Sequence, residues 1–260
     1  MSSSVAFRWN IGDVSLEGYE ALRLSVWGAF NTFGPRASYV IGVGTIPVET
    51  ARLRIGTLPR ECRLHAESLA LPAFLEGHLS GPLAERVMWK LAPRMFPDRF
   101  EVMISNECIL WSMPRAMRTW LESLEGGYLV AQNSRVGLRG LPPGVDPRSD
   151  LQSSLAKMVE LPPSQLDEDA LFNALSWRKR PHLIDLEDVN VYSPSTLRRL
   201  GRCGSHFSGL NASIDARAAW RIVRRDLHER VGIEPMGSAT SAWGVLVGET
   251  SHPIVHRLAS

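Results

Sequence analysis

The chain has 260 residues, 44% of them hydrophobic and 22% charged, with a formal net charge of +2. That length admits one large α/β domain or two small ones, and a charge so near neutral argues against nucleic acid or an anionic membrane as partner. No apolar run reaches the roughly 18 residues of a membrane span. The cysteines, Cys62, Cys108 and Cys203, are widely spaced and odd in number, which leads us to expect reduced thiols, a cytoplasmic setting and no zinc-type pairing. The start, MSSSVAFRWN, lacks the basic region and apolar stretch of a signal peptide.

SVAFRWNI (4–11) alternates apolar and polar residues as a half-buried strand does, and stops at Gly12-Asp13. Tyr19, Leu22, Val26, Phe30 and Phe33 then recur at helical spacing until Gly34-Pro35. ASYVIGV (37–43) is a β-branched second strand. A Leu- and Ala-rich segment (69–92) reads as helix interrupted near Gly81-Pro82. RFEVMISNECILW (99–111) starts as a buried strand but carries a polar step, Ser105-Asn106-Glu107, between two apolar triplets.

Met113-Pro114 opens a helix with Met117, Trp120, Leu121 and Leu124 on its apolar side, and GGYLVAQN (126–133) reads as strand. The stretch 137–163, with GLPPGVDP and ELPP, is expected to be a mobile loop. Helix resumes over 167–177, and HLIDLEDVNVY (182–192) has strand character. Ser213 is placed to cap a long helix whose Ala216, Ala219, Val223, Leu227 and Val231 share one face. Arg217, Arg221, Arg224 and Arg225 on its other side are expected to be a solvated surface. Strands interleaved with helices predict an α/β sheet covered on both faces.

Few motifs carry chemistry alone. Gly42-x-Gly44 follows a strand, but a dinucleotide fingerprint needs a third glycine where Pro47 stands, and no long helix is evident there. An NAD(P)-dependent oxidoreductase is therefore the third of the readings. His252 and His256 have metal-like spacing in a terminal segment broken by Pro253, and the GxSxG elbow of a serine hydrolase is absent. Ser105-Asn106-Glu107 is more informative. Side chains beyond the carboxyl ends of strands face the crevice where α/β folds bind ligands, and oxygen donors there suit a hard divalent cation.

The segment WKLAPRMFPDRFEVMISNECILW resembles the GT-A-fold glycosyltransferases, most closely the glycogenin-like and lipopolysaccharide-galactosyltransferase-like retaining group. Lys90, Phe96-Pro97 and Val102 to Ile104 occupy the family's matching places, and Ser105-x-Glu107 fills its Asp-x-Asp slot. SVAFRWNIGD, the helix carrying Ser25 and ASYVIGV look like the family's first nucleotide-binding unit. QLDEDALFNAL (165–175) is similar to its Asp-Gln-Asp helix, and GSHFSGLN (204–211) to its His-Phe-x-Gly element.

The resemblance implies a single mixed α/β domain over 1–260, with a nucleotide-binding half to about residue 111 and an acceptor-side half from 112. It implies transfer of a sugar from a nucleotide-sugar, a UDP-sugar by the family's habit, to an acceptor. Glu107 and His206 would hold Mn²⁺ or Mg²⁺. Lys90 and Asn106 would face the diphosphate or donor sugar, Gly12 and Asp13 the base and ribose, and Gly209 the His-Phe-x-Gly turn. Asp167 or Asp169 would face the transferred sugar or the acceptor. Ser105 departs from the pattern: a hydroxyl replaces a carboxylate, which weakens a site for a hard ion. A nucleotide-sugar or carbohydrate binder without catalysis is the alternative reading.

Overall fold

The structure, a computed structural model, describes residues 5–68, 70–76, 79, 81, 88, 91–123, 126–132, 137–155, 181–192 and 199–235. Strand β1 (Val5–Ile11), helix α1 (Leu16–Phe33), strand β2 (Ser38–Val43), helix α2 (Val48–Ile55) and strand β3 (Cys62–Ala66) form a β-α-β-α-β start. Strand β4 (Phe100–Ile104) pairs parallel with β1, which also pairs parallel with β2. After β5 (Cys108–Leu110) come α3 (Arg115–Glu122), β6 (Leu129–Ala131), β7 (Leu138–Leu141), α4 (Pro147–Leu155), β8 (His182–Ile184), β9 (Val189–Tyr192), β10 (Gly204–Phe207) and α5 (Ile214–Val231).

Among the described residues seven strands make the main sheet, in the order β3-β2-β1-β4-β7-β6-β8, with β7 antiparallel to both neighbours. The other three form a small sheet, β5-β10-β9. This explains the polar step in RFEVMISNECILW. Phe100–Ile104 belongs to the large sheet and Cys108–Leu110 to the small one, so Ser105-Asn106-Glu107 is where the chain leaves one sheet for the other. The expected fold class, a mixed α/β sheet flanked by helices, is what forms.

Helix α1 is buried on two sides because both sheets need it. Tyr19, Leu22 and Val26 pack on Phe7, Trp9 and Tyr39 of the main sheet. Ala21 and Leu24 meet Phe207, Trp220 and Leu227 on the small sheet and α5. Ser25 stitches the layers: Trp9 Nε1 donates to its hydroxyl at 2.8 Å, and the hydroxyl donates to the Cys108 carbonyl at 2.5 Å. Ser15 caps α1, and Ser213 caps α5 by accepting the Ala216 amide.

Several expectations need correction. The first strand is buried almost throughout: Arg8 is 1% exposed and ion-paired to Glu67 and, at 3.8 Å, to Glu101. Buried ion pairs satisfy the second sheet face, where the alternation of residues predicts solvent. HLIDLEDVNVY is two strands in different sheets, separated where Asp185 Oδ1 accepts the amides of Glu187 and Asp188. The predicted loop from 137 contains β7 and α4. The arginine side of α5 is partly structural, since Arg224 binds the buried Glu20 through Nε at 2.8 and 2.7 Å. Lys90, Asp167, Asp169, the helix predicted over 167–177, half of 69–92 and the His252/His256 pair lie outside the described residues; the described part of 69–92 includes a short 3-10 helix, Ala73–Leu75.

Candidate active site

The carboxyl ends of β1, β2, β3 and β4 point the same way, because these strands are parallel. Around that edge the chain gathers Gly12, Asp13, Thr45 and the Ser105–Glu107 step. Tyr19 Oη donates to the Gly12 carbonyl at 2.9 Å, and the Asp13 amide donates to Thr45 Oγ1 at 2.9 Å. These bonds fix the turn after β1. The Asp13 side chain stays 68% exposed, ion-paired to Arg54 Nη1 at 2.5 Å. Thr45 and Arg54 carry no signal in the sequence beyond that of ordinary polar residues.

Glu107 and His206, 99 positions apart, meet here because β5 and β10 are antiparallel, pairing His206 with Cys108. Glu107 Oε2 lies 3.9 Å from His206 Nε2, and the two residues are only 8% and 7% exposed. Burial raises the Glu107 carboxyl above the usual carboxylate range, against the opposing pull of the amides of Gly209, Asn211 and Leu210. The Gly209 amide donates to Oε2 at 3.3 Å, whereas Oε1 is buried without a hydrogen-bond partner. The Glu107 amide donates to Ser105 Oγ at 3.2 Å, and its carbonyl accepts the Phe207 amide at 2.9 Å.

Asn106 reaches toward α1, with Nδ2 3.5 Å from the Gly18 carbonyl. Gly137, which the sequence marks only as loop, completes the cluster. Its φ is 63°, and a Cβ placed on it would fall 2.7 Å from Ser105 Cβ, so the position suits glycine alone. The same Cβ would lie 3.6 Å from His206 Nε2. Sequence could have flagged this residue only as a glycine in a glycine-rich stretch.

Thus Gly12, Asp13, Asn106, Glu107, His206 and Gly209 surround one edge of the sheet. The described residues contain no cluster of three or more His, Cys, Asp or Glu able to hold a metal. Gly42 has a packing explanation: a Cβ there would fall 1.8 Å from Glu67 Oε2 and 2.8 Å from Asn10 Oδ1.

No protein-family model and no curated protein matches the sequence. Solved structures match the fold. One is the galactosyltransferase LgtC in complex with donor and acceptor sugar analogues, at TM-score 0.54 and 11% identity over 87% of this chain and 95% of that one. The chain has the GT-A glycosyltransferase fold. The bifunctional glycosyltransferase WbbM matches at TM-score 0.55 and 12% identity, over 95% of this chain and 51% of its own. Mouse xyloside xylosyltransferase 1 matches at 0.50 and 10%, over 82% of this chain and 100% of its own. At these identities the likeness is one of GT-A fold, and no described helix is long and apolar enough to cross a membrane.

Proposed function

We propose that the protein is a glycosyltransferase that takes a sugar from a nucleotide-diphosphate donor, a UDP-sugar, and transfers it to an acceptor with retention of configuration. The observation that carries the proposal is the meeting of Glu107 and His206 at the sheet edge where Gly12 and Asp13 follow β1. That edge of a parallel α/β arrangement is where nucleotides are held.

The residues are compatible with Mn²⁺ or Mg²⁺, but as a short donor set. Two ligands held at about 2.0–2.2 Å from one ion sit roughly 3–4.4 Å apart, and the observed 3.9 Å falls within that range. Glu107 Oε1, buried and without a hydrogen bond, keeps lone pairs available to a bound cation or a hydrogen-bond donor. Ser105 adds a hydroxyl but no charge, so the protein supplies one carboxylate and one imidazole. When bound, the ion would offset the diphosphate charge that grows as the sugar departs.

The chain's own residues supply the rest. Asp13 would accept from base or ribose at the end of β1, in exchange for part of its ion pair with Arg54. Asn106 would donate toward the donor from the turn between sheets, and the Gly209 turn would hold Glu107 in place. Lys90 would add a positive charge near the phosphates, and Asp167 or Asp169 would face the transferred sugar or acceptor. These three assignments rest on the family resemblance. Free thiols at Cys62, Cys108 and Cys203 are in keeping with a reducing, cytoplasmic compartment.

Ser105 favours one competing reading, a nucleotide-sugar binder that has lost catalysis. Thermal-shift measurements against UDP, UDP-sugars, NAD and NADP, with and without Mn²⁺, test the proposal. Stabilisation by UDP, with slow release of UDP from one UDP-sugar, supports the transferase. UDP binding without release supports the binder, and stabilisation by NAD alone overturns both.

A further inference from the structure

The sheet also carries a cavity lined by none of the residues just described. It has a volume of about 650 Å³ and lies on the face of β2 and β3 opposite α1, bounded by the segment that leads into β4. In the β2–β3 register Val40 pairs with Arg63 and Gly42 with His65, so these side chains stand on one face. Val40, Met95 and Phe96 give it apolar walls. Arg60, Arg63 and Arg99 bring three guanidiniums to it, against the Glu61 carboxylate in its lining and Asp98, 4.0 Å from Arg99 Nε.

Those charges are held in different ways. Arg99 is anchored, donating from Nη1 to Ser38 Oγ at 2.9 Å with its guanidinium over the Phe96 ring. Arg60, 92% exposed, touches Glu61 at 3.0 Å. Arg63 is exposed and forms no ion pair among the described residues. His65 lines the cavity, and its Nδ1 is buried without a hydrogen-bond partner. Surplus positive charge, an unsatisfied ring nitrogen and apolar walls specify a ligand with an anionic head and an apolar body.

We infer that this cavity is a second binding site, for a small organic anion whose carboxylate, phosphate or sulfonate head meets Arg60, Arg63 and Arg99. The apolar body would lie against Val40, Met95 and Phe96. The site shares no residue with the donor crevice, although its lining runs along β2 and β3 from Ser38 to His65, which pairs with Gly42 about 7 Å along the strand from Gly44. The inference therefore stands whether or not the protein transfers sugars.

Anilinonaphthalene sulfonate, which joins a sulfonate to an aromatic body, is a direct probe, with uncharged phenylnaphthylamine as its control. Fluorescence titration of the full chain should show one sulfonate probe bound per chain, unaffected by saturating UDP. Arg63→Glu should weaken that binding tenfold or more and leave the neutral probe unchanged. Arg60→Glu, an exposed position, repeats the test should the first variant not fold. Wild-type affinity in both variants, or displacement of the probe by UDP, overturns the assignment.

Discussion

Glu107 accepts the backbone N–H of Gly209 at 3.3 Å, joining two turns 102 residues apart in the chain. The contact closes the small sheet's end over the start of α5, and the amides of Leu210 and Asn211 pull on the same carboxylate. Replacing Glu107 with Ala would leave those buried donors without their acceptor. A loss of about 2–3 kcal/mol is expected by urea denaturation, with Glu107→Gln losing less because one amide oxygen remains. Equal stability of Glu107→Ala and wild type would show that the carboxylate holds nothing together.

Gly137 lies between Ser105 and His206, with φ of 63°. Gly137→Ala introduces both a left-handed alanine and a clash with Ser105 Cβ, so a cost of about 1–3 kcal/mol is expected. Because the displaced side chains belong to the candidate site, UDP affinity should fall further than stability does. Calorimetry of UDP binding on the folded variant checks this; unchanged affinity would place the nucleotide elsewhere.

A different carboxylate governs acid stability. Burial would raise the Glu20 carboxyl, but hydrogen bonds from His228, Arg224 and Trp220 outweigh it and hold the value down to about 2 from an ordinary 4.5. A depressed folded value stabilises the protein above the unfolded one, so this contribution is present above pH 4.5 and lost as pH falls toward 2. It amounts to roughly 3 kcal/mol by the size of the shift. The stability gap between wild type and Glu20→Gln should therefore shrink across that window in acid titrations. A gap independent of pH would mean the clamp between α1 and α5 carries no charge linkage.

Asp13 provides a test of the nucleotide end. Its carboxylate is ion-paired to Arg54 yet largely exposed, so Asp13→Asn should cost under about 1 kcal/mol of stability. Its effect on UDP binding should be larger, severalfold in affinity. Identical UDP affinity in the variant would remove Asp13 from the site.

What can be read in the sequence is local, and what cannot is set by distance. The helical spacing of Tyr19, Leu22, Val26, Phe30 and Phe33 specifies α1 whatever surrounds it. The polar triplet at 105–107 announces an interruption, but nothing in 99–111 says that its halves join different sheets. That follows only from β10 pairing with β5. Arg8 looks like the solvent-facing residue of a half-buried strand, since its partners Glu67 and Glu101 are 59 and 93 positions away. The strand at GSHF and the helix after Pro47 are too short for periodicity to reveal. At the site, Glu107, His206 and Gly209 are reached through family resemblance, whereas Gly137, Thr45 and Arg54 become visible only once the fold brings them in.

Calorimetric titration of UDP with and without Mn²⁺, on wild type and His206→Ala, decides whether the Glu107–His206 pair serves a metal-assisted nucleotide site. Wild-type affinity should rise at least tenfold with Mn²⁺, and His206→Ala should lose this gain while staying folded. A Mn²⁺ response equal in both proteins, or no UDP binding by wild type under either condition, would contradict that role.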